Sequence, residues 1–138
     1  MKRIAAIDFG LKRIGIALSD ERQCLALPFC VVEGGKKAVE NTVAALRSKS
    51  TEIEKILIGN PLHMNGQVSE MGLLAAEFGR KLQEVLKIEI ELVDERLTSK
   101  QAERSLQEFS FSRKQKKAQV DMSAAALFLQ SYLDKKKS

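Results

Sequence analysis

Ile4-Ala5-Ala6-Ile7 runs straight into Asp8, turns through Gly10, and returns as Ile14-Gly15-Ile16-Ala17-Leu18-Ser19. Two short apolar runs joined by a glycine-containing turn predict a β-hairpin whose first strand is buried. Residues 4–8 are the first strand and residues 13–19 the second. A carboxylate at the end of a buried strand can hold a metal ion or a phosphate-bound metal. It can equally do no more than end the strand in a turn.

The rest of the chain places this hairpin in a larger sheet. Cys24 to Val32 is a third strand, interrupted by Pro28; proline cannot donate to a ladder, so the strand lies at an edge or carries a bulge. Glu33-Gly34-Gly35 breaks the chain, and residues 36–48 form a helix with Val39, Val43 and Leu46 on one face. Lys55-Ile56-Leu57-Ile58-Gly59 is a fourth, buried strand. The loop Asn60–Val68 follows, with turns at Asn60-Pro61 and Asn65-Gly66. A second helix spans Ser69 to Leu86, with Leu74, Phe78 and Leu82 inward. Ile88 to Val93 is the fifth strand, with Glu89 and Glu91 alternating outward. Thr98-Ser99-Lys100-Gln101 is a capping-box pattern opening a third helix. Ser110–Gln119 is a basic loop, and the last helix spans Val120 to Asp134.

The order β-β-β-α-β-α-β-α-α predicts an α/β fold: a five-stranded mixed sheet flanked by helices. Right-handed crossovers lay the fourth and fifth strands parallel to, and beside, a central first strand. Their C-terminal ends then share one edge, where open α/β sheets place their sites. At 138 residues the chain reads as a single domain, 1–138.

Acidic residues gather at that predicted edge. Asp8 closes the first strand, Asp94 and Glu95 close the fifth, and Asp121 stands at the start of the last helix beside Ala124, Ala125, Phe128 and Tyr132. Packed carboxylates repel one another unless a cation joins them. Mg²⁺ or Mn²⁺ suits oxygen ligands, and two such ions roughly 3.5–4 Å apart can activate water for phosphodiester hydrolysis. Each acid also has a plain reading: a strand-ending turn for Asp8, a surface pair with Arg96 or Lys100 for Asp94 or Glu95, a helix cap for Asp121.

Charge points the same way. The chain carries a net +5. Between Arg96 and Gln119, seven bases (Arg96, Lys100, Arg104, Arg113, Lys114, Lys116 and Lys117) stand against Glu103 and Glu108. The other 16 basic and 16 acidic residues cancel, so the excess sits in one segment suited to a polyanion. No apolar stretch is long enough to span a bilayer, and Met1-Lys2-Arg3 leads directly into a strand. Cys24 and Cys30, evenly spaced on one strand, read as reduced packing residues rather than a disulfide or zinc site. These features predict a cytoplasmic protein. His63, the one histidine, reads as a solvated loop residue. No phosphate-cradling GxxxxGK[ST] or GxGxxG motif occurs.

Four blocks resemble the YqgF (RuvX) family of bacterial RNase H-like nucleases, also described as Holliday junction resolvases. They are Ile7-Asp8-Phe9-Gly10 with Arg13 through Asp20, Gly59-Asn60-Pro61-Leu62 with Met64-Asn65-Gly66, Asp94-Glu95-Arg96-Leu97-Thr98-Ser99, and Val120-Asp121 through Ala124-Ala125 to Tyr132-Leu133. Together they span almost the whole chain. The resemblance implies an RNase H-like fold and a metal-dependent nuclease, with Asp8, Glu95 and Asp121 as catalytic and metal-binding triad. It implies processing of the 5′ end of pre-16S ribosomal RNA, with Holliday junction cleavage as the alternative. Resolvases of the wider class place a carboxylate after the fourth strand; here Asn60–Val68 has none, so the second ligand falls to Asp94-Glu95. Neighbours at a strand end point to opposite faces, so only one of the two serves; which one stays open in the sequence, and Glu95 is taken, with Asp94 turned toward a structural partner.

The expected partners are nucleic acid, as RNA precursor or branched DNA, and ribosomal precursor particles. Lys12, Arg13, Arg96, Lys100, Arg113, Lys114, Lys116 and Lys117 would hold phosphates. A resolvase needs two sites and hence a homodimer, whereas an RNA-trimming enzyme can be a monomer. Two other readings compete: a phosphotransferase using its Asp-x-Gly turn for Mg²⁺-ATP, disfavoured by a length that allows one domain, and a non-catalytic nucleic-acid-binding module.

Overall fold

The computed structural model describes residues 2–60, 63–64, 67–94, 104 and 123–137. Its main sheet has five strands: β1 (Arg3–Asp8), β2 (Arg13–Ser19), β3 (Ala26–Glu33), β4 (Ile53–Asn60) and β7 (Glu89–Asp94). Their order is β3-β2-β1-β4-β7. The hairpin partners pair antiparallel, from Ala5↔Leu18 to Asp8↔Gly15. β1 and β4 run parallel, as do β4 and β7. The mixed sheet with the first strand at its centre is as expected, but only β4 lies beside it; β7, the expected fifth strand, pairs with β4 at the far edge.

β3 combines the two alternatives that Pro28 offered, an edge and a bulge. It is the other edge strand, and its register with β2 slips where Ile16 faces Cys30 but Ala17 faces Pro28, so Phe29 is bulged. Cys24 precedes this strand, and the bulge breaks the alternation that put the two cysteines on one face. Both are free thiols.

The expected helix 36–48 is α1 (Ala38–Leu46), with a 3₁₀ turn at each end, Gly35–Lys37 and Arg47–Glu52. The Asn60–Val68 loop holds a small hairpin, β5 (His63–Met64) against β6 (Gln67–Val68), with His63↔Val68 and Met64↔Gln67 paired. α2 (Glu70–Leu86) begins where the Ser69 hydroxyl accepts the Gly72 N–H at 2.9 Å. It ends at Lys87, whose left-handed backbone (φ 58°) returns its N–H to the Gln83 carbonyl. Of the third expected helix, from Thr98, only Arg104 is described, and it is helical. α3 (Ala124–Lys137) starts later than expected, because the Ser123 hydroxyl accepts the Ala126 N–H at 3.2 Å and caps it.

Alternation along the strands divides the core in two. Ala5, Ile7, Ile14, Ile16, Ile56 and Ile58 face α1 and α2, against Val43, Leu46, Phe78 and Leu82. Ile4, Ala6, Ala17 and Leu57 face α3, against Ala125, Ala126, Phe128, Leu129 and Leu133. Each fully buried Ile or Leu stabilises the fold by about 1.5–3 kcal/mol relative to exposure. One inward assignment is corrected. Leu74 is 46% exposed, and Gly72, Ala75 and Gly79 take the inward positions. A Cβ on Gly79 would meet Ile58 at 2.9 Å, so α2 lies too close to the sheet for a leucine there. Ala124 is exposed, while Ala125 and Ala126 are buried.

α3 is also tied to the far end of β3. Gln130, 2% exposed, accepts the Ala26 N–H at 2.9 Å and donates to the Cys24 carbonyl and to Asp134 Oδ1, each at 3.0 Å. At the start of β4, Lys55 donates to Glu91 at 2.9 Å and pairs with Glu89 at 3.2 Å. Its ammonium is also 3.2 Å from the Tyr132 hydroxyl. The bond to Glu91, then that to Tyr132, holds it above the ordinary lysine range. Among the described residues no helix is long and apolar enough to cross a membrane.

Candidate active site

Asp8 is the last residue of β1 and has the parity of Ile4 and Ala6, so it faces α3. Its two register partners are both glycines, Gly15 on β2 and Gly59 on β4. Gly15 pairs in turn with Val31, and Gly59 with Val93. One row therefore crosses the sheet at this edge: Val31, Gly15, Asp8, Gly59, Val93. The carboxylate stands between two positions without side chains.

The two glycines are not equivalent. A Cβ on Gly59 would lie 2.4 and 2.5 Å from Cε1 and Cζ of Phe128. The Phe128 ring, 2% exposed, fills that flank. A Cβ on Gly15 would meet only Asp8 Cβ, at 3.8 Å, an ordinary contact.

The turn after Asp8 is held by backbone. Phe9 donates its N–H to the Gly59 carbonyl at 3.3 Å, and Gly34 donates to the Lys12 carbonyl at 2.9 Å. A Cβ on Gly10 would strike the Arg13 carbonyl oxygen at 2.5 Å, which explains the glycine. Phe9 packs on Phe78, ring centroids 4.9 Å apart. Lys12 and Arg13 are exposed, and Arg13 has Gly15's parity, placing it on the face of Asp8.

Asp20, inside the first resembling block, has structural work. Its Oδ1 accepts the Cys24 and Leu25 N–H groups at 2.7 and 3.0 Å. The buried Ser19 hydroxyl accepts the Ile4 N–H and donates to the Asp20 carbonyl, both at 2.8 Å. Neither residue is at the Asp8 edge.

Asp94 ends β7 in register with Asn60. It has the parity of Ile90 and Leu92, opposite to Val93 and Asp8. Standing at the sheet's rim, it also borders a 60 Å³ cavity with Val93, Phe128, Ser131, Tyr132 and Lys135. Glu95 and Asp121 lie outside the described residues, as do Arg96, Lys100, Arg113, Lys114, Lys116 and Lys117. Asp121 stands two residues before Ser123 in sequence, outside the described start of α3 at Ala124. Among the described residues no three His, Cys, Asp or Glu side chains gather to hold a metal. The structure thus places Asp8 and Arg13 on one sheet face and Asp94 at its rim, beside the α3 residues Phe128 and Tyr132. Gly15, Gly59 and Phe128 were missed as site residues. A lone glycine within an apolar run signals close approach, and Gly15 is of that kind, whereas Gly59 ends its run before Asn60-Pro61 and carries no such signal.

The family model described as "RuvX: Holliday junction resolvase" matches residues 2–135. A protein from Protochlamydia amoebophila named "Putative pre-16S rRNA nuclease" is 43% identical, over 96% of this chain and 93% of its own. One of the same name from Syntrophomonas wolfei is also 43% identical, over 96% and 94%. Among solved structures, Thermus thermophilus RuvC in complex with a Holliday junction substrate superposes with a TM-score of 0.55 at 13% identity, covering 99% of this chain and 96% of that one. That likeness concerns the fold, which is RNase H-like. The chain belongs to the RuvX Holliday junction resolvase family and is a nuclease, a hydrolase of phosphodiester bonds.

Proposed function

We propose that Asp8 is the centre of a metal-binding carboxylate cluster, completed by Glu95 and Asp121, that cleaves structured nucleic acid. The observation that carries this reading is the placement of Asp8: a carboxylate between two glycines, at the C-terminal edge of a parallel strand pair, on the face crossed by α3. Of the neighbours Asp94 and Glu95, Glu95 is taken as its partner because the block Asp94-Glu95-Arg96 fits the family pattern. Asp121 comes two residues before the cap of the helix packed over that face. Three carboxylates supply the oxygen donors that Mg²⁺ or Mn²⁺ prefers. Two such ions would supply a nucleophilic water and neutralise charge on the leaving oxygen.

The chain's own residues then have separate tasks. Asp8 holds its position through the β1–β4 ladder and the Phe9–Gly59 bond. Phe128 excludes water from the Gly59 flank. Arg13 and Lys12 hold phosphates beside the carboxylate, and Arg96, Lys100, Arg113, Lys114, Lys116 and Lys117 extend the contact. The substrate favoured by the names of the relatives is the 5′ end of pre-16S ribosomal RNA, met in a ribosomal precursor particle in the cytoplasm. The family description supports a second substrate, the four-way DNA junction, which would require a homodimer.

One assay tests both readings: cleavage with Mn²⁺ of a precursor ribosomal RNA and of a four-way junction, beside Asp8→Asn. Metal-dependent cut RNA that vanishes in Asp8→Asn supports the first reading, and paired symmetric nicks in the junction support the second. An Asp8→Asn protein as fast as wild type removes the cluster. Salt-sensitive binding without cleavage by the wild type would favour the non-catalytic module.

A further inference from the structure

We infer that the strand bearing the scissile phosphate reaches Asp8 from the β2–β3 side, over a seat floored by Gly15 and walled by Val31 and Arg13. This rests on the nuclease reading above and adds the direction and the contacts of the approach.

Four observations converge. First, the Gly59 flank of Asp8 is closed by Phe128, whereas a Cβ on Gly15 finds only Asp8 within 4 Å among the described residues. Second, Val31, in register with Gly15, is 66% exposed although it is apolar and lies on a core-forming sheet face. Third, α3 meets this face at Gly59 through Phe128 and at Cys24 and Ala26, beside the far end of β3, through Gln130; among the described residues no α3 atom lies within 4 Å of a Cβ on Gly15. Fourth, Arg13 projects from the same face one alternation beyond Gly15, with Glu33 as its register partner on β3.

A nucleotide strand fits this corner chemically. Its sugar and base supply the apolar surface that Val31 lacks a partner for. Its phosphate meets the Arg13 guanidinium, and Glu33 across the ladder limits how far the anion can slide toward β3. The next phosphate then lies at Asp8. Gly15 is required because any side chain there would stand between the strand and the carboxylate. Val31 and Gly15 are positioning residues; neither touches the reacting atoms.

The test uses the full chain. Val31→Glu and Val31→Lys change an exposed side chain and leave the core intact, so thermal midpoints should stay together. Michaelis constants for cleavage of a labelled RNA are measured for both, and anisotropy titrations of the same RNA are made in the Asp8→Asn background. The inference expects Val31→Glu to raise KM about fivefold or more and Val31→Lys to lower it or leave it, with the gap shrinking in high salt. Gly15→Val should weaken binding by about tenfold without loss of Mn²⁺ binding by calorimetry. Equal KM values for the two Val31 variants, or wild-type binding by Gly15→Val, would overturn the path. If those equal values accompany an inactive Asp8→Asn protein, the nuclease reading stands and the path alone fails. An active Asp8→Asn protein overturns both.

Discussion

Gly59→Ala should destabilise this protein through a single ring. The added methyl carbon would sit 2.4, 2.5 and 2.8 Å from Cε1, Cζ and Cδ1 of Phe128, where real contacts begin near 3.4 Å. The ring must retreat by about 1 Å from a site where it is 2% exposed, in a core packed to solid density. Overpacking of this kind costs about 1–3 kcal/mol. For a domain of 138 residues each kcal/mol lowers Tm by about 3–4 °C, so a fall of about 3–12 °C is expected by calorimetry. Repeating the change in a Phe128→Leu background isolates the cause. Without the ring's far edge, Gly59→Ala should cost less than about half as much. Gly15→Ala is the matched control, since its methyl carbon makes only an ordinary contact. A Gly59→Ala protein melting within about 1 °C of wild type, or one equally damaged with and without the ring, would refute the reasoning.

Three further outcomes follow from the packing and the polar contacts. Ser123→Ala removes the hydroxyl that caps α3 and should cost about 1 kcal/mol in urea unfolding. Gln130→Leu strands the buried Ala26 N–H and should cost about 1–3 kcal/mol by the same measurement. Lys55→Met removes the partner of Glu89 and Glu91 and should cost about 1 kcal/mol. Because the Lys55 ammonium is held above its ordinary value of 10.5, its contribution is complete below that pH and is lost only as pH rises beyond it. The wild-type advantage over Lys55→Met should therefore be flat from about pH 7 to 9 and shrink in strong alkali, read from denaturation midpoints at each pH.

The sheet was largely legible in the sequence because apolar runs of four to six residues fix strands, and Pro28 fixes an edge. The failures have physical causes. β5 and β6 are two residues each, too short for any periodicity to register. Leu74 fitted the helical spacing as well as Ala75 did, but close approach of α2 to the sheet selects the smaller residues. Spacing from Asp121 drew the last helix too early, because a hydroxyl cap at Ser123 competes with continuation of the helix and leaves no mark on the apolar pattern. At the site, Asp8 could be singled out as a carboxylate ending an apolar run. The glycine row around it could not, since Gly15 and Gly59 become neighbours of Asp8 only through two different strand registers. Glu95 and Asp121 rest on sequence reasoning throughout.

The central position of β1 has a consequence for the order of assembly. Its antiparallel neighbour lies across a turn of a few residues, while its parallel neighbour β4 begins at Ile53. Closing the longer loop costs about 2 kcal/mol more in chain entropy. The hairpin can therefore form early, with β4 next and β7 after it. α3 lies more than a hundred residues from β1 in sequence, yet Phe128 completes the wall beside Asp8. Asp8 is thus fixed in the backbone long before its surroundings exist. A half-folded chain holds the carboxylate without the wall, so under the proposed role of Asp8 hydrolytic competence should emerge only with the final docking step, trailing the recovery of β-sheet signal in refolding kinetics.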